Sequence, residues 1–154
     1  MSGRLYFMDE AHLTVPEGYR DRSTNILEWE TGPGTRIVLV VQRDQIDPEA
    51  IAEPRSPALA LADYVAGATG AYPTAFAGYK LERDEVAVGL TGGVEKRRIA
   101  YRWHQEAEVI YHHQAFILTG TAILVFTAGG KARDRERIDH LIDAAIADLR
   151  YRAD

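Results

Sequence analysis

A chain of 154 residues, 46% hydrophobic and 27% charged with a net charge of −5, has the composition of an ordinary folded domain. It is large enough to bury one core and too acidic for a nucleic-acid surface. It has no cysteine, which excludes a disulfide framework, a thiolate nucleophile and a cysteine metal site. No secretory-type apolar segment opens the chain and no stretch nears the roughly 20 residues of a bilayer span, so a single cytoplasmic domain over residues 1–154, without membrane insertion, is expected.

Residues 5–15 alternate loosely around Asp9-Glu10 and predict a hairpin, closed by Pro16-Glu17-Gly18. Residues 24–29 predict a third strand. Gly32-Pro33-Gly34 turns it into residues 37–42, an apolar run that reads as buried on both faces. Residues 43–57 carry Pro48, Pro54 and Pro57, show no period and predict a long loop. Residues 58–71 predict a helix with Ser56 as N-cap and Pro57 at its first position. Gly67 and Gly70 weaken it by about 1 kcal/mol each, and Pro73 ends or kinks it. Residues 79–90 predict a strand that Thr91-Gly92-Gly93 turns back into residues 94–105.

Residues 99–128 then read as consecutive antiparallel strands, with turns at Glu106-Ala107-Glu108 and Gly120-Thr121. Phe116 and Leu118 alternate with Ala115 and Ile117, and Ile123 and Val125 with Leu124 and Phe126, so these strands are apolar on both faces. A sheet with one wet face would be polar at every second position. Gly129-Gly130 is expected to break the sheet before a final helix with Ile138, Leu141, Ile142, Ala145, Ile146 and Leu149 on one side. The expected fold class is α+β: an antiparallel sheet of about six or seven strands with two main helices. Two helices suffice for one face of such a sheet, which leaves the other without an evident cover.

The residues give little support to catalysis. His112 and His113 are neighbours on a strand and point to opposite faces, so they cannot share one ion in the usual geometry, and His104 supplies no third ligand. There is no GxSxG elbow. Gly129-Gly130-Lys131 fails as a phosphate loop, because Ala132 follows the lysine and the upstream glycine is missing. Lys96, Arg97 and Arg98 read as a solvated strand end beside Glu95. No enzyme activity, metal or cofactor is expected. An apolar face without a cover points instead to a hydrophobic groove, an oligomer interface, or both; the alternative is a loop such as 43–57 folding across it.

An ordered set of motifs carries a resemblance. Pro16-Glu17-Gly18-Tyr19-Arg20-Asp21-Arg22-Ser23-Thr24-Asn25-Ile26-Leu27 resembles a PxGWxDRSxNxL opening, with Tyr19 in place of the tryptophan. Val40-Val41-Gln42-Arg43-Asp44, Leu61-Ala62-Asp63-Tyr64-Val65, Gly78-Tyr79, Gln114-Ala115-Phe116 and Phe126-Thr127-Ala128 follow in order. In these the chain is similar to the Eag-type effector-associated chaperones of bacterial type VI secretion, within the DcrB group of Mog/PsbP-like domains. The resemblance implies a homodimer that holds the N-terminal transmembrane helices of a cognate effector, a PAAR-type spike protein, in an apolar groove before it is loaded on the spike. The groove residues expected by alternation on that basis are Thr24, Ile26, Leu39, Val41, Ile110, Gln114 and Phe116 from the strands and Ala68 and Tyr72 from the helix, with Gln114 as the polar contact to a client backbone. The other reading is a non-catalytic DcrB-like ligand-binding or assembly module.

Overall fold

In the computed structural model, which describes residues 3–7, 12–17, 22–52, 56–87 and 95–149, the centre of the sheet is β7 (Glu108–Thr119), buried without a break from His113 to Leu118. Around it the chain runs β1 (Gly3–Phe7), β2 (His12–Pro16), β3 (Thr24–Gly32), β4 (Thr35–Gln45), α1 (Pro57–Thr69), α2 (Tyr72–Ala75), β5 (Lys80–Ala87), β6 (Glu95–Gln105), β7, β8 (Ala122–Lys131) and α3 (Arg135–Asp148). β1 and β2 form a separate antiparallel hairpin. The other six strands form one antiparallel sheet in the order β3-β4-β8-β7-β6-β5. The α+β class and the strand count agree with the sequence pattern. The predicted turns at Asp9-Glu10 and Thr91-Gly92-Gly93 lie outside the described residues.

The two main helices take opposite faces. On one face Ile138 and Ile142 of α3 pack on Ile37, Leu39, Ala115, Ile117, Phe126 and Ala128. On the other, Leu61 and Val65 of α1 pack on Tyr101, Phe116, Leu118, Ile123 and Val125, joined by Ile46 and Ile51. The expectation that both helices share one face is thus corrected. An amphipathic pattern gives a helix a buried stripe but not the side of the sheet on which it lands. The described part of the stretch 43–57 also contains regular structure. β4 continues to Gln45, and Pro48–Ala50 form a 3₁₀ turn capped by Asp47, whose carboxylate accepts from Glu49 N at 3.0 Å.

Two local details fix the register. Gly34, at φ +69°, closes the β3–β4 hairpin in a conformation that side chains disfavour. A bulge between Glu30 and Gly32 then shifts the pairing by one residue, so that Ile26 faces Val40 and Glu28 faces Val38. Gly129 and Gly130 do not break the sheet; β8 runs through both to Lys131. They are glycines because the space is taken. A Cβ on Gly129 would stand 2.6 Å from Cδ2 of His112, and one on Gly130 would stand 3.1 Å from the Arg36 carbonyl. Gly129→Ala is therefore expected to cost about 1–3 kcal/mol of stability through overpacking. Urea unfolding of the variant checks this, with Gly67→Ala, where nothing lies within 4 Å, expected to cost nothing or to stabilise.

Candidate functional site

The α1 face of the sheet is only partly covered. Beside the α1 contact, Val38 and Val40 of β4, Thr127 and Gly129 of β8, Ile110 and His112 of β7 and Trp103 of β6 line an open cleft of ≈ 330 Å³. Arg36, Gln105 and the Lys131–Glu108 ion pair (2.9 Å) make its rim polar. The floor is apolar because alternate residues of four adjacent strands project to the same side. His112 belongs to this apolar floor in its chemistry as well. Burial pushes its imidazole down to about 4, and its Nδ1 lies 2.9 Å from the Tyr101 hydroxyl.

An aromatic wall rises at the side of the cleft. Phe76 stacks on Trp103 at 4.8 Å between centroids, and Tyr72 leans on Tyr101 at 5.0 Å. Burial raises the Tyr101 hydroxyl well above its usual range. Gln114, 6% exposed, sits against this wall. Its Nε2 donates to the Tyr72 hydroxyl (3.2 Å) and to Thr127 Oγ1 (3.1 Å), and its Oε1 accepts from Tyr72 at 3.3 Å. A buried amide in an apolar strand needs such partners, since leaving it unpaired costs about 1–3 kcal/mol. Towards the other end of the same face, Thr24, Arg22, Gln42, Asp44 and Tyr64 surround a polar hollow of ≈ 380 Å³. There the Tyr64 hydroxyl donates to Asp44 at 3.0 Å and is pushed up to about 12, by burial first and Asp44 second.

Over residues 10–148 the chain matches the DcrB family. It belongs to that family. A Pseudomonas aeruginosa protein named Effector EagT6 is 28% identical over 125 residues, covering 80% of this chain and 78% of that protein. The structure of PA94 from Pseudomonas aeruginosa, described as a protein of unknown function and putative regulator, is similar with a TM-score of 0.74 and 25% identity, covering 99% of both chains. Cyanobacterial PsbP (CyanoP) from Synechocystis is similar in fold alone, with a TM-score of 0.56 and 11% identity over 97% of this chain and 92% of that one. The PsbP-like architecture expected of the DcrB chain is thus the one found, and the Eag name appears among its relatives.

The residues expected at a groove divide between the two faces. Thr24, Ile26, Ile110, Gln114 and Phe116 share the α1 face, with Tyr72 above Gln114 and Ala68 exposed on α1. Leu39 and Val41 point the other way, into the core beneath α3. The bulge near Thr31 is the cause. A hairpin without it would set Ile26 opposite Val41, whereas the shifted register sets it opposite Val40. Phe116 is on the expected face but fully covered, with Tyr64 edge-on at 6.3 Å. Val38, Val40, Trp103, His112 and Phe76 were not expected at the site. The turn-to-strand spacing would have found the two valines had the extra residue been recognised.

The opposite face of the DcrB domain carries a buried polar network with a structural role. His113 is buried between Arg98, whose Nε donates to its Nε2 (3.2 Å), and Asp139, which lies 2.8 Å from its Nδ1. An arginine only donates, so Nε2 must accept and Nδ1 carries the proton that Asp139 receives. Tyr111 also donates to Asp139 at 2.6 Å, and Arg98 pairs with Asp143, so the network pins α3 to the sheet. His112 and His113 do face opposite sides. Burial holds His113 below its ordinary value, opposed by Asp139 and assisted by Arg98.

Both histidines therefore bind protons more readily in the unfolded chain. Stability is full above about pH 6.5 and falls as the pH drops towards 4, and His112 alone contributes a loss of about 2 kcal/mol by pH 5. Urea midpoints at pH 7 and pH 5 measure that slope, and His112→Gln is expected to flatten it.

Proposed function

We propose that this DcrB domain is a type VI secretion effector chaperone, which shields the N-terminal transmembrane helices of its cognate effector in the cytoplasm until the effector, a PAAR-type spike protein, is loaded. It works by binding, without catalysis. The observation that carries the reading is the cleft itself: an apolar floor spread over four strands, polar at its rim, next to one amide on Gln114. An apolar helix exposed to water aggregates. Laying its side chains on such a floor recovers about 25 cal/mol per Å² buried. The ordered motifs imply the same client class, and the Eag-named relative supports an effector-associated role. No helix among the described residues is long and apolar enough to cross a membrane.

The homodimer in this reading uses β3. That strand edges the sheet and exposes Ile26, Leu27 and Trp29 by 63%, 59% and 53%. The opposite edge strand, β5, carries Lys80, Glu82, Arg83, Asp84 and Glu85, a charge pattern that discourages edge pairing. A second copy pairing along β3 extends the cleft floor across both protomers. Leu27→Lys is expected to halve the mass measured by sedimentation equilibrium without changing the circular dichroism spectrum.

Co-expression with the effector encoded beside it tests the main reading: a stable complex is expected, captured through the effector's N-terminal helices. Ile110→Asp and Gln114→Ala are each expected to weaken that capture at least about ten-fold, the scale of 1–2 kcal/mol, while the fold is kept. Capture that survives both substitutions would remove the cleft from the client site. The cleft volume of ≈ 330 Å³ also falls in the range of small-molecule sites. It is the one feature that favours a ligand-binding module, and an effector that never co-purifies would select it.

A further inference from the structure

Gln114 and Trp103, whose amide and indole N–H could serve an incoming backbone, are both held down by one short segment. Residues 71–76 leave α1 at Gly70 and carry α2, in which no residue is buried. The segment reaches the sheet through the Tyr72 pair with Gln114, the Tyr72 ring on Tyr101 and the Phe76 ring on Trp103. Beyond it, His104 N donates to the Ala77 carbonyl at 2.7 Å, and Gly78 at φ +65° lies against the His104 ring, where a Cβ has no room. The chain is thus clamped just after the segment, and glycines stand at both ends of it, while Pro73 stiffens the part between.

The polar pairing beneath the segment is unbalanced. Trp103 Nε1 is buried and has no hydrogen-bond partner among the described residues, an arrangement that native interiors seldom keep. Gln114 is satisfied, but two of its three side-chain hydrogen bonds are to Tyr72 of the segment and only one is to the sheet. The closed arrangement therefore leaves one donor wanting an acceptor and fills the other group with a removable hydroxyl.

We infer that residues 71–76 are a flap that stands in for the client: Tyr72 occupies the Gln114 amide, and Phe76 covers Trp103, until an apolar helix displaces them. On displacement the client's main-chain groups replace the Tyr72 hydroxyl at Gln114, and the Trp103 N–H gains an acceptor. The flap keeps the Gln114 amide and the Trp103 ring at the side of the cleft covered when no client is present, which limits capture of stray apolar segments. This inference rests on the reading of the cleft as a client groove and adds to it the device that regulates entry.

The absence of cysteine makes the test direct. Spin labels are placed on Thr74→Cys in the flap and Glu106→Cys in the β6–β7 turn of the full chain. The probe is a fluorescent 20-residue Leu/Ala peptide with terminal lysines, so that binding by anisotropy and the label separation are read on the same protein. The expected result is a lengthened separation once peptide binds. Tyr72→Phe is expected to bind the peptide about three- to ten-fold tighter, and this gain is expected to vanish in the Tyr72→Phe/Gln114→Ala double variant. A merely structural tyrosine would not show that coupling. Peptide that binds with no change in separation, or a Tyr72→Phe protein that binds no tighter, overturns the flap and leaves the groove standing. Peptide that binds neither wild type nor Tyr72→Phe overturns the groove reading, and the flap with it.

Discussion

The structure depends on a central strand that is apolar on both sides. Every residue of β7 from His113 to Leu118 is buried, with Ala115 and Ile117 turned to one helix and Phe116 and Leu118 to the other. Such a strand cannot sit at the wet surface of a two-layer protein, so the chain must supply a cover twice. It does so with one helix on each face. A helix with its side chains is only about 10–12 Å across, roughly two strand spacings of ~4.8 Å. One helix per face therefore cannot cover six strands. α1 lies over the β6–β7–β8 side and reaches β4 through Tyr64, and among the described residues what it leaves open is the Val38–Val40 part of β4 with the β7 and β8 residues near the turn that carries Gly34. The open cleft follows from that mismatch in width and needs no special device to create it.

The same accounting explains the unequal edges. β5 is a charged strand, and its Arg83–Glu85, Arg97–Asp84 and Arg102–Glu82 pairs (2.7, 3.0 and 3.3 Å) hold the charges in place across β5 and β6. β3 places apolar side chains on both of its faces. Leu27 and Trp29 lie on the α3 side, where Arg137 sits 5.6 Å over the Trp29 ring, and Ile26 lies on the cleft side. A strand like this at a free edge is a liability in a monomer and an asset in an assembly.

Much of this was legible in the sequence because strand alternation is strict. The two-faced character of residues 99–128 follows from period two alone, and the Ser56 cap on α1 from a single hydroxyl before Pro57; its Oγ accepts from Leu59 N at 3.2 Å. Three features were hidden for distinct reasons. The side taken by each helix is set by chain crossovers, which local periodicity does not encode. The parity of β4 relative to β3 was reversed by one bulged residue, which moved Leu39 and Val41 out of the site and brought Val38 and Val40 in. The glycines at 129 and 130 mimic a strand terminator, but their cause is the ring of His112 and the Arg36 carbonyl across the sheet. Only the last of these is a tertiary contact overriding a local signal; the first lies in topology and the second in one extra residue of a hairpin.

Gln114 brings these threads together. A polar residue in the middle of β7 opposes the packing that the rest of the strand serves, and an apolar side chain of similar size would suit a closed core better. Its amide is nevertheless satisfied, through Thr127 on the neighbouring strand and Tyr72 from outside the sheet. A purely structural glutamine would be expected to find both partners within the rigid sheet. Here one partner is fixed by the β7–β8 pairing and the other belongs to a segment with no buried residue. That division is what a site requires when the same amide must be quiet in the empty protein and available in the loaded one. It also explains why the wall of the cleft carries a tyrosine at position 72, where a phenylalanine would pack against Tyr101 equally well but would leave Gln114 half unpaired.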